Sequence, residues 1–281
     1  MNKGNLIGRG MTAEVYEWEQ DKALKLYNKN ISKSWATYEA RIGTAIHEAG
    51  VASPEVFDTV EVDGRNGIIF QRIFGRSMLD NVKMEPWNIY HYIKQLARLQ
   101  FGIHQHKASG LPSQVEKYAV RIKRSHVLPE DKMEKIIGYV KTLPDSDCIC
   151  HGDLHFNNII VSGNKLVPID WTNAYGGNPL GDVARTCLIL ISPVKPRGIG
   201  EIPVMVSQPI KWLACLIYIG EYIRLSKARL EDIDAWILPT AAAKLRDKLP
   251  GEKKWLLDII NTRLNQLNSR ELWDPSGFRA R

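Results

Sequence analysis

The chain has 281 residues, of which 44% are hydrophobic and 25% are charged, with a formal net charge of +7. This composition is that of an ordinary globular protein, and the length suffices for two lobes with a proper core. The basic residues are scattered and form no stripe interleaved with aromatic side chains, so we expect no nucleic acid among the partners. The densest basic cluster, Arg121, Lys123 and Arg124, is expected to lie in solvent on an amphipathic helix.

No segment of the sequence predicts export or membrane insertion. The N-terminal residues begin no signal peptide, and the longest apolar run, residues 212–223, is too short for a span and contains Glu221. We therefore expect a cytoplasmic protein without a membrane partner. The cysteines lie in apolar stretches without the paired spacing of a zinc site and predict buried thiols: Cys148, Cys150, Cys187 and Cys215.

The first seventy residues predict a strand-rich lobe. Residues 6–13 are expected to form a turn that contains two glycines, and the following segments alternate between apolar and polar positions as strands do. An Asp63-Gly64 pair, typical of a tight hairpin turn, joins the last two strands. Strands are predicted over 14–18, 23–27, 56–62 and 68–73, with a helix over 34–48.

Several residues of this lobe are typical of a nucleotide site. Gly8 and Gly10 form a reduced glycine-rich turn that permits close backbone approach to phosphates. The turn lies between two strands rather than before a helix, which excludes the dinucleotide-binding type. Lys25, on the next strand, is either a solvated lysine or a phosphate ligand. Glu39 lies on the apolar stripe of the helix and needs a partner there, so we choose it over Glu48 to hold Lys25.

The pattern changes to helical after residue 74. Helices are predicted over 87–106, 113–124 and 130–141, and almost throughout from residue 181 to the end. We therefore predict an α+β fold with two domains, a β-rich N-terminal lobe over 1–73 and a larger, mostly helical C-terminal lobe over 74–281.

The most informative segment is residues 151–158, His-Gly-Asp-Leu-His-Phe-Asn-Asn. It places Asp153 and Asn158 five residues apart on one loop, and a hairpin predicted over 159–169 brings Asp170 back beside them. Phosphoryl transfer requires one carboxylate that orients the attacking hydroxyl, and a carboxylate with an amide oxygen that hold Mg²⁺ on the nucleotide phosphates. The alternative is that these residues only cap turns, as an isolated Asp and Asn usually do.

The motif His-Gly-Asp-x-His-x-x-Asn-Ile, followed by Ile-Asp-Trp, resembles the aminoglycoside phosphotransferase and choline kinase-like family. The sequence departs from the family pattern at Phe156-Asn157, where Pro-Gly is frequent, but neither position holds metal or substrate in the family. The resemblance covers nearly the whole chain and is strongest over 148–188. It implies the bilobal protein kinase-like fold, with ATP and Mg²⁺ as cofactors.

The resemblance also implies a role for each motif residue. Asp153 would be the catalytic base, and Asn158 and Asp170 would hold Mg²⁺. Gly8, Gly10, Lys25 and Glu39 would form the phosphate side of the nucleotide site. The remaining roles are backbone hydrogen bonds to adenine from Gln71, Arg72 and Ile73, and support of the catalytic loop by His151 and by Asp182, which also suits a helix cap.

The spacing of the motifs bears on the substrate. Asp182 follows Asp170 by only twelve residues, and no Ala-Pro-Glu occurs, so a protein kinase's activation segment has no room. We expect the substrate to be a small alcohol. Residues 171–281 contain 16 Lys and Arg against 11 Asp and Glu, which disfavours a polycationic aminoglycoside.

Because of three residues, a cationic substrate remains an alternative. Glu221 interrupts an apolar helix and either pairs with Arg224 or Lys211 or faces a cation. Trp171 and Tyr175 either belong to the core or wall a choline-like cation. We predict an ATP- and Mg-dependent phosphotransferase acting on a hydroxyl of a small molecule, aminoglycoside phosphotransferase-like. The alternatives are a choline/ethanolamine-type or other small-metabolite kinase and a non-catalytic nucleotide-binding regulator of the same fold; the sequence does not define the oligomeric state.

Overall fold

A computed structural model describes residues 3–194 and 207–269 of the chain. An antiparallel five-stranded sheet forms the N-terminal part, and helices with two small sheets form the rest. This architecture confirms the predicted α+β fold class. Within the described ranges, no helix has both the length and the apolar character that crossing a membrane requires.

The N-terminal sheet consists of β1 (Leu6–Arg9), β2 (Ala13–Trp18), β3 (Lys22–Tyr27), β4 (Val56–Val62) and β5 (Arg65–Gln71), in the order β1-β2-β3-β5-β4. Residues 6–13 were expected to be one turn, but Arg9 pairs with Glu14, which leaves only the next three residues for the turn. Strand β5 begins at Arg65, earlier than the predicted residue 68. The reason is that Asp63 and Gly64 both have left-handed φ, 54° and 66°, and make a tight hairpin turn directly before it.

Helix α1 (Lys33–Glu48) joins β3 to β4 in the chain and packs against the C-terminal part. It begins at Ser32, whose hydroxyl accepts a hydrogen bond from the N–H of Trp35. Ile42 and Ile46 on its inner face are fully buried and belong to the same hydrophobic core as side chains of the C-terminal helices. Because one core spans both parts, the division into domains 1–73 and 74–281 stays a prediction.

The C-terminal part is mostly helical. The helices predicted over 87–106, 113–124 and 130–141 are confirmed to within three residues at either end. The helical pattern predicted after residue 181 is confirmed for most described residues, while 195–206 and 270–281 lie outside them. The helices are α2 (Met78–Met84), α3 (Ile89–Ile103), α4 (Gln114–Lys123), α5 (Glu130–Val140), α6 (Pro179–Ile191), α7 (Gln208–Ser226), α8 (Leu230–Asp234), α9 (Ile237–Lys244) and α10 (Glu252–Ser269).

Two small sheets frame the motif loop. Their strands are β6 (Arg76–Ser77), β7 (Cys148–Cys150), β8 (Ile159–Ser162), β9 (Lys165–Pro168) and β10 (Tyr175–Gly177). Strands β8 and β9 pair in antiparallel fashion with Ser162 opposite Lys165, which confirms the predicted hairpin. The loop over 151–158 connects β7 to β8, and Asp170 follows the end of β9, so the hairpin returns Asp170 to the loop.

Candidate active site

One buried carboxylate anchors the loop between β7 and β8. Asp182, in the first turn of α6, accepts hydrogen bonds from the backbone N–H groups of His151 (3.0 Å) and Gly152 (2.7 Å). Its Oδ2 also accepts from Gln100 Nε2 (2.9 Å) and lies 3.2 Å from His104 Nε2. Burial favours the neutral acid, but the hydrogen bond and charge of His104 outweigh it and hold the pKa of Asp182 below its ordinary value. The carboxylate therefore fixes the loop backbone.

His151 joins the loop to the segment after β9. Its Nε2 lies 3.1 Å from the carbonyl oxygen of Ile169, and its Nδ1 lies 3.2 Å from the backbone nitrogen of Asp153. Burial lowers the pKa of His151, so the neutral ring donates from Nε2 and accepts at Nδ1. The ring packs against Trp171, which is buried in the core like Tyr175, so the core assignment of both aromatic residues is confirmed.

Asn158 and Asp170 approach each other through the hairpin. Asn158 donates from Nδ2 to the carbonyl oxygen of Asp153 (3.0 Å), which leaves its amide oxygen to act as a ligand. The N–H of Ile169 donates to the backbone oxygen of Asn158 (2.9 Å). Asp170 has a left-handed φ of 63°, and its Oδ1 accepts from the Thr172 hydroxyl (2.8 Å). Such a backbone is uncommon outside glycine and clusters at functional sites.

Lys25 lies between two carboxylates from distant parts of the chain. Its Nζ is 2.6 Å from Glu39 Oε1 and 3.3 Å from Asp170 Oδ1. Glu39 is buried, and the Tyr27 hydroxyl donates to its other oxygen. Burial acts to lower the pKa of Lys25, but Asp170 and Glu39 together raise it above its ordinary value, so the ammonium group is charged. Glu48, the alternative partner, is exposed.

Gly8 and Gly10 lie in and after β1, beside the turn to β2. The N–H of Gly10 donates to the carbonyl oxygen of Ala13 (2.8 Å) and closes that turn. A Cβ at Gly8 or Gly10 would approach its nearest neighbour only to an ordinary contact distance of 3.5 Å. The packing within the chain therefore does not require glycine at either position, whereas close approach of a phosphate does.

Gln71, Arg72 and Ile73 follow one another at the end of β5. The N–H of Gln71 donates to the carbonyl oxygen of Glu55 (2.8 Å), and the N–H of Arg72 donates to that of Asp21 (2.9 Å). The hydrogen bonds between described residues give the N–H of Ile73 no partner. Of the three amides predicted to meet adenine, Ile73 is therefore the one free to donate.

A buried arginine that the sequence did not single out contacts Asp153. Nη2 of Arg185 lies 2.9 Å from Asp153 Oδ1 and 2.9 Å from Asp247 Oδ2. Burial acts to raise the pKa of Asp247, but Arg185 and its neighbours lower it to about 2. Arg185 follows Asp182 by three residues and shares its face of α6, which was the signal that could have found it. Asp247 lies in a stretch without any motif.

The expectation that the basic cluster of α4 lies in solvent is wrong for Arg121. Its side chain is only 16% exposed, pairs with Asp247 and donates from Nη1 to Asn173 Oδ1 (2.9 Å). Lys123 and Arg124 are exposed, as expected. Position 121 differs because α4 packs against α9 and turns this side chain toward the loop after Asp170.

Glu221 is balanced by basic residues of the chain itself. It lies 2.7 Å from Arg98 and 2.9 Å from Arg224, so the predicted ion pair with Arg224 is confirmed. Lys211, the other candidate partner, donates instead to the carbonyl oxygen of Ser192 (2.6 Å). These pairs account for the buried acid without a cationic substrate.

A sheet carrying a paired lysine and glutamate, joined to a helical part with a His-Gly-Asp loop and an aspartate after a hairpin, defines the class of protein kinase-like folds. The model of the "Phosphotransferase enzyme family" matches residues 3–201, and the chain belongs to this family. The resemblance seen in the sequence is thereby confirmed. No curated protein matches the chain.

Solved structures show the same fold at low sequence identity. A thermostable mutant of aminoglycoside phosphotransferase APH(4)-Ia, in its apo form, is 14% identical with a TM-score of 0.61, and the alignment covers 94% of this chain and 95% of that one. A putative fructosamine-3-kinase from Haemophilus somnus 129PT is 13% identical with a TM-score of 0.59, over 95% and 90% of the two chains. The amicoumacin kinase hAmiN, in complex with AMP-PNP, Ca²⁺ and Ami, is 12% identical with a TM-score of 0.58, over 96% and 89%.

Proposed function

We propose that this phosphotransferase moves the γ-phosphoryl group of ATP, with Mg²⁺, to a hydroxyl group of a small molecule. One observation carries the proposal: Lys25 contacts both Glu39 and Asp170, while the segment before Asp170 is bonded to the loop that carries Asp153 and Asn158. The nucleotide-side and acceptor-side groups that phosphoryl transfer needs thus converge from elements far apart in sequence.

The residues present suit Mg²⁺. Lys25 holds the pKa of Asp170 down to about 2, against the effect of burial, so this carboxylate is ionised at neutral pH. Asn158 offers an amide oxygen, and both groups are hard oxygen ligands of the kind that Mg²⁺ prefers. When bound, the ion would neutralise charge on the phosphate oxygens.

The chain's own residues would perform three tasks. Lys25, held by Glu39, would bind the nucleotide phosphates, and the backbone of the Gly8–Gly10 turn would lie over them. Asp153 would orient the acceptor hydroxyl and take its proton. The acceptor oxygen then bonds to the γ-phosphorus, the bond from that phosphorus to the bridging oxygen of ADP breaks, and ADP leaves with the electron pair.

The fold favours a small acceptor. After Asp170 the chain makes one turn, Trp171–Asn173, forms β10 against β7 and enters α6. This connection is too short for the platform on which protein kinases bind peptides. The ion pairs of Glu221 also remove the one buried acid that favoured a cationic acceptor such as choline.

The test is ADP release with Mg-ATP across a panel of aminoglycosides, choline-type amines, and sugar and amino alcohols. We expect turnover with one class of acceptor and a loss of about a hundredfold or more in Asp153→Asn, the usual contribution of a positioned acid–base group. Circular dichroism establishes that the variant is folded. ATP binding without turnover on any acceptor would favour the non-catalytic regulator, and failure to bind Mg-ATP would refute the proposal.

A further inference from the structure

A cleft opens beside the catalytic loop, on the side of the C-terminal helices. It is narrow, with a cavity volume of about 10 Å³, and is open to solvent on one side; Gly152 of the loop forms one wall. Its charged lining is entirely basic and consists of Lys117 and Arg121 from α4 and Arg185 from α6. Because Gly152 precedes Asp153, the cleft adjoins the carboxylate that would receive the acceptor hydroxyl.

Lys117 has no carboxylate partner among the described residues. Its Nζ donates to three uncharged oxygens, the Tyr38 hydroxyl (3.2 Å) and the backbone carbonyls of Thr172 (3.1 Å) and Ala174 (3.1 Å). Burial and the two neighbouring guanidinium groups lower the pKa of Lys117 to about 7. When protonated, this ammonium group is surrounded by uncharged oxygens, and an anion in the cleft would supply the counter-charge.

Arg185 provides independent evidence. Its side chain is 6% exposed, and both of its carboxylate contacts, Asp153 and Asp247, are made through Nη2. Its Nε is buried and has no hydrogen-bond partner in the described part of the chain. A buried N–H without an acceptor is rare because it forfeits its hydration, and this one belongs to a side chain that lines the cleft.

We propose that the acceptor alcohol carries an oxyanion, a carboxylate or a phosphate, which binds in this cleft against Arg185, Arg121 and Lys117 while its hydroxyl reaches Asp153. This inference rests on the proposed function and names the substrate class. A bidentate oxyanion matches the planar guanidinium groups, and its charge balances the unpaired ammonium group. Asp153 and Asp247 pair with Arg185 and Arg121, so the excess positive charge is that of Lys117, and the described lining offers a polycation no carboxylate.

The γ-phosphate of ATP is the other anion that can approach Asp153. The cleft cations come from α4 and α6 of the helical part, whereas the phosphate-side cation, Lys25, comes from the N-terminal sheet. The separate origin of these groups favours an anion on the acceptor. Filling the nucleotide site first distinguishes an anion of the acceptor from the γ-phosphate of ATP.

The first experiment is calorimetric titration of inorganic phosphate, and separately of malonate, into the full chain saturated with Mg-AMP-PNP. Since AMP-PNP fills the γ-phosphate position, an anion that still binds must occupy another site. We expect Arg121→Gln, which removes a charge-assisted hydrogen bond, and Lys117→Met, which removes a positive charge, each to weaken this binding about tenfold. The matched controls Arg124→Gln and Lys123→Met remove exposed charges of the same helix end and should leave binding unchanged.

Each outcome is decisive. Binding that persists with AMP-PNP and is lost in Arg121→Gln supports the inference, and the stronger of the two ions identifies carboxylate or phosphate. Competition between phosphate and AMP-PNP would assign the cations to the γ-phosphate and overturn it, as would absence of binding by both ions. Failure of AMP-PNP itself to bind would refute the proposed function instead. Arg121→Lys, which keeps the charge, should bind at an intermediate level and excludes misfolding as the cause.

Turnover provides a second readout. With saturating Mg-ATP, glycerate and glycerol 3-phosphate are compared with glycerol, ethanolamine and kanamycin by ADP release. We expect at least one of the anionic alcohols to have the highest kcat/KM, and Arg121→Gln to raise its KM without changing the KM for ATP. Equal or better turnover of the neutral and cationic alcohols would overturn the inference while leaving the proposed function intact.

Discussion

Replacing Asp182 by asparagine tests whether one buried carboxylate holds the catalytic loop. Its Oδ1 accepts one hydrogen bond, from Gly152 N–H (2.7 Å), while its Oδ2 faces the backbone N–H of His151 (3.0 Å), Gln100 Nε2 (2.9 Å) and His104 Nε2 (3.2 Å). Asparagine fits the same space but has only one oxygen. In either orientation, its NH₂ group therefore points at a buried N–H of the loop.

The cost can be estimated from these contacts. The more favourable orientation keeps the oxygen at the Oδ2 position and leaves Gly152 N–H facing the NH₂ group. One buried donor without an acceptor costs about 1–3 kcal/mol, and loss of the charge weakens the remaining hydrogen bonds, so we expect about 2–4 kcal/mol of destabilisation in Asp182→Asn. Domains of this kind have roughly 5–15 kcal/mol of stability, so the variant should still fold.

The assay is urea unfolding together with Mg-ATP turnover at a temperature where both proteins are folded. Because Gly152 precedes Asp153, a shifted loop would misplace the proposed base, and we expect turnover to fall about a hundredfold. The matched control is Asp147→Asn, whose 61% exposed carboxylate pairs with an exposed lysine and should change stability by less than about 0.5 kcal/mol. Wild-type stability and turnover in Asp182→Asn would refute the anchoring role.

The stability that Asp182 contributes depends on pH. The folded pKa of Asp182 lies below its ordinary value of 3.8, so its stabilisation is fully present above that pH. It is lost as the pH falls through the lower, folded value. The stability difference between wild type and Asp182→Asn should therefore be constant near neutral pH and shrink in acid.

Three further predictions concern the glycine of the loop, the buried glutamate and the cleft lysine. Gly152→Ala should destabilise the protein and abolish turnover because φ is 74° and a Cβ would collide with a backbone carbonyl. The control is Gly163→Ala, where φ is also left-handed at 57° but the space is open, so the substitution should reduce the free energy of unfolding by only about 1 kcal/mol. Glu39→Gln should weaken Mg-ATP binding about tenfold in a fluorescence titration by releasing its lysine partner, while the exposed Glu48→Gln should not. Lys117 has a pKa of about 7 and loses its charge above that pH, whereas the charge of sulfate is constant near neutral pH. The affinity of the cleft for sulfate should therefore fall by up to about tenfold per pH unit above 7. A sulfate affinity that does not change with pH would contradict a charged role for Lys117.

The residues that local patterns could locate are those whose partners lie on neighbouring elements. Asp153, Asn158 and Asp170 are joined by one hairpin, and a two-residue turn sets its register. The stripe of α1 singled out Glu39 over Glu48 because a buried carboxylate needs a partner. In both cases, local periodicity and polarity contain the relevant information.

The cleft could not be predicted in the same way. Arg121 belongs to a run of basic residues, and nothing local distinguishes it from Arg124, which lies in solvent. Its burial depends on α9 and Asp247, which are more than a hundred residues away and have no motif. Contacts of this kind are set by tertiary packing rather than by propensity, so the cleft can be recognised only in the structure.

An untargeted search for the phosphorylated product tests the proposed phosphoryl transfer most directly. The protein is incubated with Mg-ATP labelled with ¹⁸O in the γ-phosphoryl group and a small-molecule extract, and products are detected by mass spectrometry. We expect small alcohols, anionic ones first, to gain the labelled phosphoryl group with wild type and not with Asp153→Asn. Label found only on protein, or none despite demonstrated ATP binding, would contradict the proposed transfer.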